Sequence, residues 1–235
     1  MALILNIETA TTVCSVSLAK DGELLALKEI NGDYSHAENL TVFIEDVFKQ
    51  ANLKLQEVDA IAVSKGPGSY TGLRIGVSTA KGLCYSLNKP LIAIDTLQHM
   101  VASTNSNSRF MIAGASQLKV LFCPMLDARR MEVYCAIYSG DVCVRKTSAE
   151  IIDENSFADF LKENIVLFFG DGAAKCKGAL SSNKNALFVD DIFPSAKNMI
   201  TLSEKAYNNK QFEDVAYFEP FYLKDFLIGK KKTPK

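Results

Sequence analysis

Short apolar runs alternate along the chain with longer stripes of helical period. Leu3–Glu8 is an apolar run of strand length, ended by the polar turn Thr9–Thr12. Val13–Ala19 alternates, with Val13, Ser15 and Ser17 opposite Cys14, Val16 and Leu18, and the Asp-Gly within Lys20–Gly22 predicts a hairpin into a third strand, Glu23–Ile30. A helix follows. Ser35 and Glu38 have capping-box spacing, and Leu40, Phe43, Ile44, Val47, Phe48 and Ala51 recur every three or four residues. Asp59–Ser64 reads as a buried strand and Pro90–Asp95 as another. Between them, Thr71–Leu87 reads as a second helix with Leu73, Val77, Ala80, Cys84 and Leu87 on its apolar stripe. Asp95 then either caps a short helix over Leu97–Ala102 or serves a site.

The order then restarts. Lys119–Leu126, Glu132–Tyr138 and Val142–Lys146 read as three strands, Ser156–Glu163 as a helix and Ile165–Phe169 as a strand. A Gly-Asp-Gly turn opens the segment Gly170–Leu180, Ala186–Val189 is a strand and Ser195–Asn208 a helix. The residues do not repeat, but the topology does. Helical crossovers after a strand meander predict an α/β protein of two lobes, each strand-strand-strand-helix-strand-helix-strand with a mixed sheet. The polar stretch Asn105–Arg109 sets the boundary between residues 1–104 and 105–235. A basic tail starts near residue 224, with five lysines against one aspartate through Lys235.

Composition narrows the function classes. Apolar residues are 48% and charged residues 23%, which excludes a globally disordered chain. The 26 basic and 27 acidic residues leave a net charge of −1, so the body has no overall pull toward nucleic acid or an anionic membrane. No apolar run reaches the length of a membrane span, and Asn6 and Glu8 make the first residues unlike a secretory signal. The six cysteines contain no CxxC pair and sit mostly in apolar surroundings, as expected of free thiols in a reducing cytoplasm. There are only two histidines, His36 and His99, so chemistry that needs a histidine cluster is excluded by counting.

Most of the information lies in Lys65–Gly76, KGPGSYTGLRIG, which places Gly66, Gly68, Gly72 and Gly76 between a strand and a helix. It lacks the spacing of a phosphate-binding P-loop and of a dinucleotide fingerprint, and Ser69 is not in a Gly-x-Ser-x-Gly nucleophile elbow. Gly72, Gly76 and Ala80 recur every four residues, a ridge of small side chains. Interior glycines cost a helix about 1 kcal/mol each relative to alanine, so a close approach must offset them. The ridge packs either on the chain's own sheet or on a partner's helix, and Arg74, Ser78, Lys81 and Tyr85 form another face.

The glycine segment, together with ILNIETATTVCSVSL, YSHAENL at 34–40, TLQHMVA at 96–102, DARRMEVY at 127–134, FGDGA at 169–173 and EPFYL at 219–223, resembles the bacterial TsaB (YeaZ) family over essentially the full length. The resemblance implies the two-lobed actin-like ATPase (ASKHA) fold. It implies a role in making threonylcarbamoyladenosine in tRNAs that read ANN codons, as a non-catalytic partner and activator of the paralogous catalytic subunit TsaD. The ATPase TsaE is the third member, tRNA is engaged through the complex, and the chain alone forms a homodimer. TsaD holds its metal with two histidines four residues apart on a helix. Here His36 and His99 are 63 positions apart, so that pair cannot be built and no metal is expected. Family interfaces use the first two helices. The implied contact residues are His36, Leu40, Phe43 and Val47 on the first, and Tyr70, Leu73, Arg74, Ile75, Gly76, Val77, Ala80, Lys81 and Tyr85 on the second, some of which must face the core instead.

In ATP-binding members of this superfamily the turn after the first strand contacts phosphate. Here Glu8 stands in place of the usual aspartate, with Thr9 and Thr12 following and no basic residue. Asp127, Arg129, Gly170, Asp171 and Gly172 are the second-lobe counterparts. Either these turns keep a weak ATP or ADP site, with no cofactor required, or they are scaffold. Arg129-Arg130 and Lys230–Lys232 are solvated charge or contacts to phosphate and tRNA. The rival function is an independent ATPase or small-metabolite kinase working in the cleft.

Overall fold

Two five-stranded mixed sheets with the same internal order carry the chain. The computed structural model describes residues 2–32, 36–106 and 118–224. Strands β1 (Leu3–Glu8), β2 (Val13–Lys20) and β3 (Glu23–Asn31) form the first meander, followed by α1 (His36–Ala51), β4 (Ala60–Gly66), α2 (Tyr70–Leu87), β5 (Leu91–Asp95) and α3 (Thr96–Ala102). The second half repeats this with β6 (Lys119–Asp127), β7 (Glu132–Ser139), β8 (Val142–Ile151), α4 (Ala158–Glu163), β9 (Asn164–Phe169), α5 (Ala173–Leu180), β10 (Ala186–Val189) and α6 (Ile200–Asn208). The sheet orders are β3-β2-β1-β4-β5 and, in the corresponding direction, β8-β7-β6-β9-β10. In each, the meander pairs antiparallel and the two later strands pair parallel to the first. The topology is duplicated, as expected of a two-lobed α/β protein.

Alternation along β1 explains the layering. Leu3, Leu5 and Ile7 enter the core shared with α1 and α2, while Ala2 and Ile4 face the opposite core with Met199 and Ala206. The helices then cross over between halves. α3 packs on β6 and β7 of the second sheet, and α6 packs on β1 and β5 of the first. After α6 the chain returns along the first sheet, where Glu213 N–H donates to the Leu91 carbonyl (2.9 Å) and Phe221 N–H to the Lys65 carbonyl (2.7 Å).

Three elements differ in detail from the sequence expectation. The strand expected over Val142–Lys146 runs on to Ile151, paired to β7 along its length. The helix expected over Ser195–Asn208 is a 3-10 turn at Ala196–Met199 that leads into α6. The helix expected from Ser156 starts at Ala158, because Ser156 and Asp153 close a hydrogen-bonded turn and Phe157 sits at φ 64°. The capping-box Ser35, most of the Asn105–Arg109 boundary, and the tail from Asp225 onward, including Lys230–Lys232, lie outside the described residues.

Candidate functional site

The glycine segment is built around the chain's own first turn. Ser69 caps α2 by accepting from Gly72 N–H (3.3 Å), and Asn88 closes the helix in the left-handed conformation. A Cβ on Gly68 would lie 2.3 Å from the Ala10 carbonyl oxygen, and one on Gly72 would lie 2.1 Å from that of Thr9. At Gly76 it would lie 2.2 Å from Thr9 Oγ1. Thr9 Oγ1 donates to the Gly72 carbonyl (2.8 Å), and Ser69 N–H donates to the Ala10 carbonyl (2.7 Å). Of the two alternatives left open for the ridge, the chain itself fills it at Gly72 and Gly76, through the backbone and side chain of Thr9. A Gly76→Leu substitution would strike this turn, so it cannot isolate a partner contact.

Both histidines secure the same turn. His36, from α1, meets the Thr11 carbonyl through Nε2 (2.7 Å). His99, from α3, meets Glu8 Oε2 through Nε2 at 2.5 Å, and Glu8 Oε1 accepts from Ala10 N–H at 2.5 Å. The Glu8 and His99 side chains are fully buried. Burial, with the Glu8 carboxylate nearby, pushes the Cys14 thiol up to about 11, so this cysteine stays a neutral thiol. Sequence reasoning noted Glu8 and His99 separately and missed the pair. The only signal was that each is an unmatched polar residue inside an apolar run.

The second-lobe turn repeats the design. A Cβ on Gly170 would lie 2.2 Å from the Met125 carbonyl oxygen, and one on Gly172 would lie 2.8 Å from the Leu126 carbonyl carbon. Asp171 Oδ1 accepts from Asp127 N–H (3.0 Å), and Asp127 Oδ1 accepts from Arg129 N–H (2.8 Å) and from Lys175. Burial raises the Asp171 carboxyl, which the Asp127 amide partly offsets. Arg129 and Arg130 both take left-handed backbone, φ 71° and 50°, to close the turn. Of the residues considered for nucleotide, Thr9 is buried and bonded to α2, while Thr12 bonds Asn31 on β3. Asp127, Arg129, Gly170, Asp171 and Gly172 serve the β6–β7 turn. None of the seven lines the cavity beside Glu29 and Ser195 or the cavity beside Asp95 and Tyr138. These turns direct their polar groups and glycine clearances to the chain itself.

The thirteen residues considered for a partner interface divide cleanly. His36, Leu40, Val47, Leu73, Gly76, Val77 and Ala80 are buried in the chain's own core. Phe43 and Ile75 are half-buried against that core. Tyr70, Arg74 and Lys81 meet the returning C-terminal segment: the Tyr70 and Tyr222 rings lie 4.9 Å apart, Arg74 stacks on Tyr70 and donates to Tyr222 Oη (3.3 Å), and Lys81 Nζ donates to the Ala216 (3.1 Å) and Phe218 (2.9 Å) carbonyls. EPFYL stood out in the sequence without a role, and the aromatic cluster Tyr217, Phe218, Phe221 and Tyr222 was the signal for this docking. Tyr85 points outward and is 87% exposed. Val42 on α1 is half exposed, and a Cβ on Gly82 would meet nothing within 4 Å.

Gly82 therefore has no steric duty. Gly82→Ala is expected to raise stability by about 1 kcal/mol through helix propensity alone, read as a higher denaturant midpoint with unchanged slope.

Asp95 does cap α3, accepting from Leu97 N–H (3.0 Å) and Gln98 N–H (3.2 Å). Among the described residues no group of three or more His, Cys, Asp and Glu could hold a metal ion, and no helix is long and apolar enough to cross a membrane.

A family model described as "TsaD: tRNA N6-adenosine threonylcarbamoyltransferase" matches residues 31–228. The chain is 28% identical to the tRNA threonylcarbamoyladenosine biosynthesis protein TsaB of Escherichia coli strain K12, covering 99% of each chain. It is 26% identical to the protein of the same description from Haemophilus influenzae, covering 97% of this chain and 96% of that one. Among solved structures, YeaZ from Pseudomonas aeruginosa matches with a TM-score of 0.79 at 22% identity, over 95% of this chain and all of the other, a likeness of fold.

Proposed function

This chain belongs to the TsaB (YeaZ) family, within the wider TsaD family of tRNA threonylcarbamoylation proteins, and from that premise we propose that it is the non-catalytic partner and activator of a TsaD-like subunit. In this reading a TsaE-like ATPase completes the assembly, tRNA is engaged through the complex, and the chain alone pairs with a second copy of itself. It works in the cytoplasm and needs no cofactor of its own, and any nucleotide it holds is bound weakly.

The observation that carries the reading is the outward face of α2. Its inner face is fixed on the first turn, its first turns are clasped by the C-terminal segment, and an exposed tyrosine beside an open glycine is left facing outward. Tyrosine is enriched at protein interfaces, and a helix face with a small residue admits a second helix closely. The two histidines add support, because both are consumed in buried contacts around the first turn.

Tyr85→Glu tests the reading. Its side chain is in solvent, so the melting temperature is expected to change little, while co-purification with a TsaD-like subunit drops by roughly tenfold or more. Full retention of the complex by this variant would remove α2 from the interface.

A further inference from the structure

The face of the first sheet that meets α3 and α6 is polar at its centre. Side chains alternate along β1, so Asn6 and Glu8 share this face with Ile4. Thr96 and His99, three residues apart, share one face of α3, and the contact between His99 Nε2 and Glu8 Oε2 brings the two faces together. All four residues are fully buried. Their neighbours are already paired. Ser17 Oγ donates to the Ala196 carbonyl (3.0 Å) and Ser15 Oγ accepts from Ala196 N–H (3.0 Å). Three atoms on this face are not. Among the described residues, Asn6 Oδ1, Thr96 Oγ1 and His99 Nδ1 have no hydrogen-bond partner. They flank the Glu8–His99 contact, one from β1 and two from α3.

We propose that a water molecule is bound at this junction of β1 and α3, held by Asn6 Oδ1, Thr96 Oγ1 and His99 Nδ1. A buried polar group left unmet is costly, and internal waters sit where two to four such groups converge. The atom types select the occupant. Asn6 Oδ1 only accepts, so the occupant donates a proton there. His99 Nε2 faces a carboxylate oxygen, which accepts, so Nδ1 carries either a lone pair or a second N–H. Water serves either form, donating to the lone pair or accepting from the N–H. The Thr96 hydroxyl rotates to give or take the remaining bond. A metal cation would find no free carboxylate oxygen, because Glu8 Oε1 accepts from Ala10 N–H and Oε2 meets His99. Asn6 lies opposite Ser17 on β2 and Ala62 on β4, two small side chains beside its amide. The walls are fully enclosed, so the occupant is of solvent size. Because α3 packs on β6 and β7, this water ties the strand that leads into the first turn to the helix that meets the second sheet.

The test is oxygen-17 relaxation dispersion of water in solutions of the full chain, which counts slowly exchanging internal waters. Asn6→Leu replaces the amide by an apolar group of similar volume and is expected to lower the dispersion amplitude by the contribution of one water. Thr96→Ser keeps the hydroxyl and is expected to retain the amplitude. Thermal melting adds a sign. Thr96→Val keeps the shape and removes the hydroxyl, so the bond to water is lost and the melting temperature is expected to fall by roughly 2 to 4 °C. Removing a hydroxyl that bonds nothing would raise it instead. An amplitude unchanged in Asn6→Leu, or a melting temperature equal or higher in Thr96→Val, would overturn the assignment.

Discussion

Gly72→Ala is expected to destabilise the protein by about 3 kcal/mol, seen as a melting temperature roughly 6 to 12 °C lower. The added methyl would sit 2.1 Å from the Thr9 carbonyl oxygen, which belongs to backbone and cannot rotate away. Relief requires the whole Thr9–Thr12 turn to lift from α2, losing the Thr9 Oγ1 bond to the Gly72 carbonyl and the Ser69 N–H bond to the Ala10 carbonyl. Each buried bond contributes about 1 kcal/mol. Helix propensity returns about 1 kcal/mol and does not offset the loss. The contrast with Gly82 is diagnostic: ten residues along the same helix, the same substitution is expected to stabilise. Equal effects at the two positions would show that the first turn does not rest on α2.

His99→Leu has the second large effect. It leaves the Glu8 carboxyl fully buried with one backbone amide for a partner, and stranding one member of such a pair costs about 3 to 5 kcal/mol. Glu8→Leu strands the imidazole and is also costly. The double variant Glu8→Leu/His99→Leu removes both polar groups, so its loss is expected to fall short of the sum of the singles by about 1 kcal/mol or more in denaturant melts. Strict additivity would mean that the 2.5 Å contact carries no coupling.

The elements themselves were legible because each carries a local signal. The strands show as apolar runs, α2 as a stripe of Leu73, Val77, Ala80 and Cys84, and the β2–β3 hairpin as Asp-Gly. The duplication was legible in the order of elements alone. Which side of a helix meets its own sheet was harder to read. On α2, Gly76 and Ala80 point inward while Gly82 and Tyr85 do not, and small and bulky residues on both sides leave the periodicity ambiguous. The exchange of α3 and α6 between sheets, the clasp of residues 216–222 on α2, and the meeting of Glu8 with His99 join positions up to about 200 residues apart. No local pattern encodes such contacts.

Glycine in a turn that resembles a ligand cradle has two physical uses, and the Cβ clearances separate them. At Gly68, Gly72, Gly170 and Gly172 the missing side chain makes room for backbone of the same lobe. The β1–β2 turn rests on α2 and the β6–β7 turn on residues 170–172 in the same way.

The central claim, that the chain activates a TsaD-like catalytic subunit without performing the transfer itself, is tested by omitting it from a reconstitution. A TsaD-like subunit, a TsaE-like ATPase, tRNA, ATP and threonylcarbamoyl-adenylate are combined with and without the chain, and modified adenosine is measured by mass spectrometry. The account predicts product only when the chain is present, and sharply less with Tyr85→Glu. Equal product in its absence would contradict it.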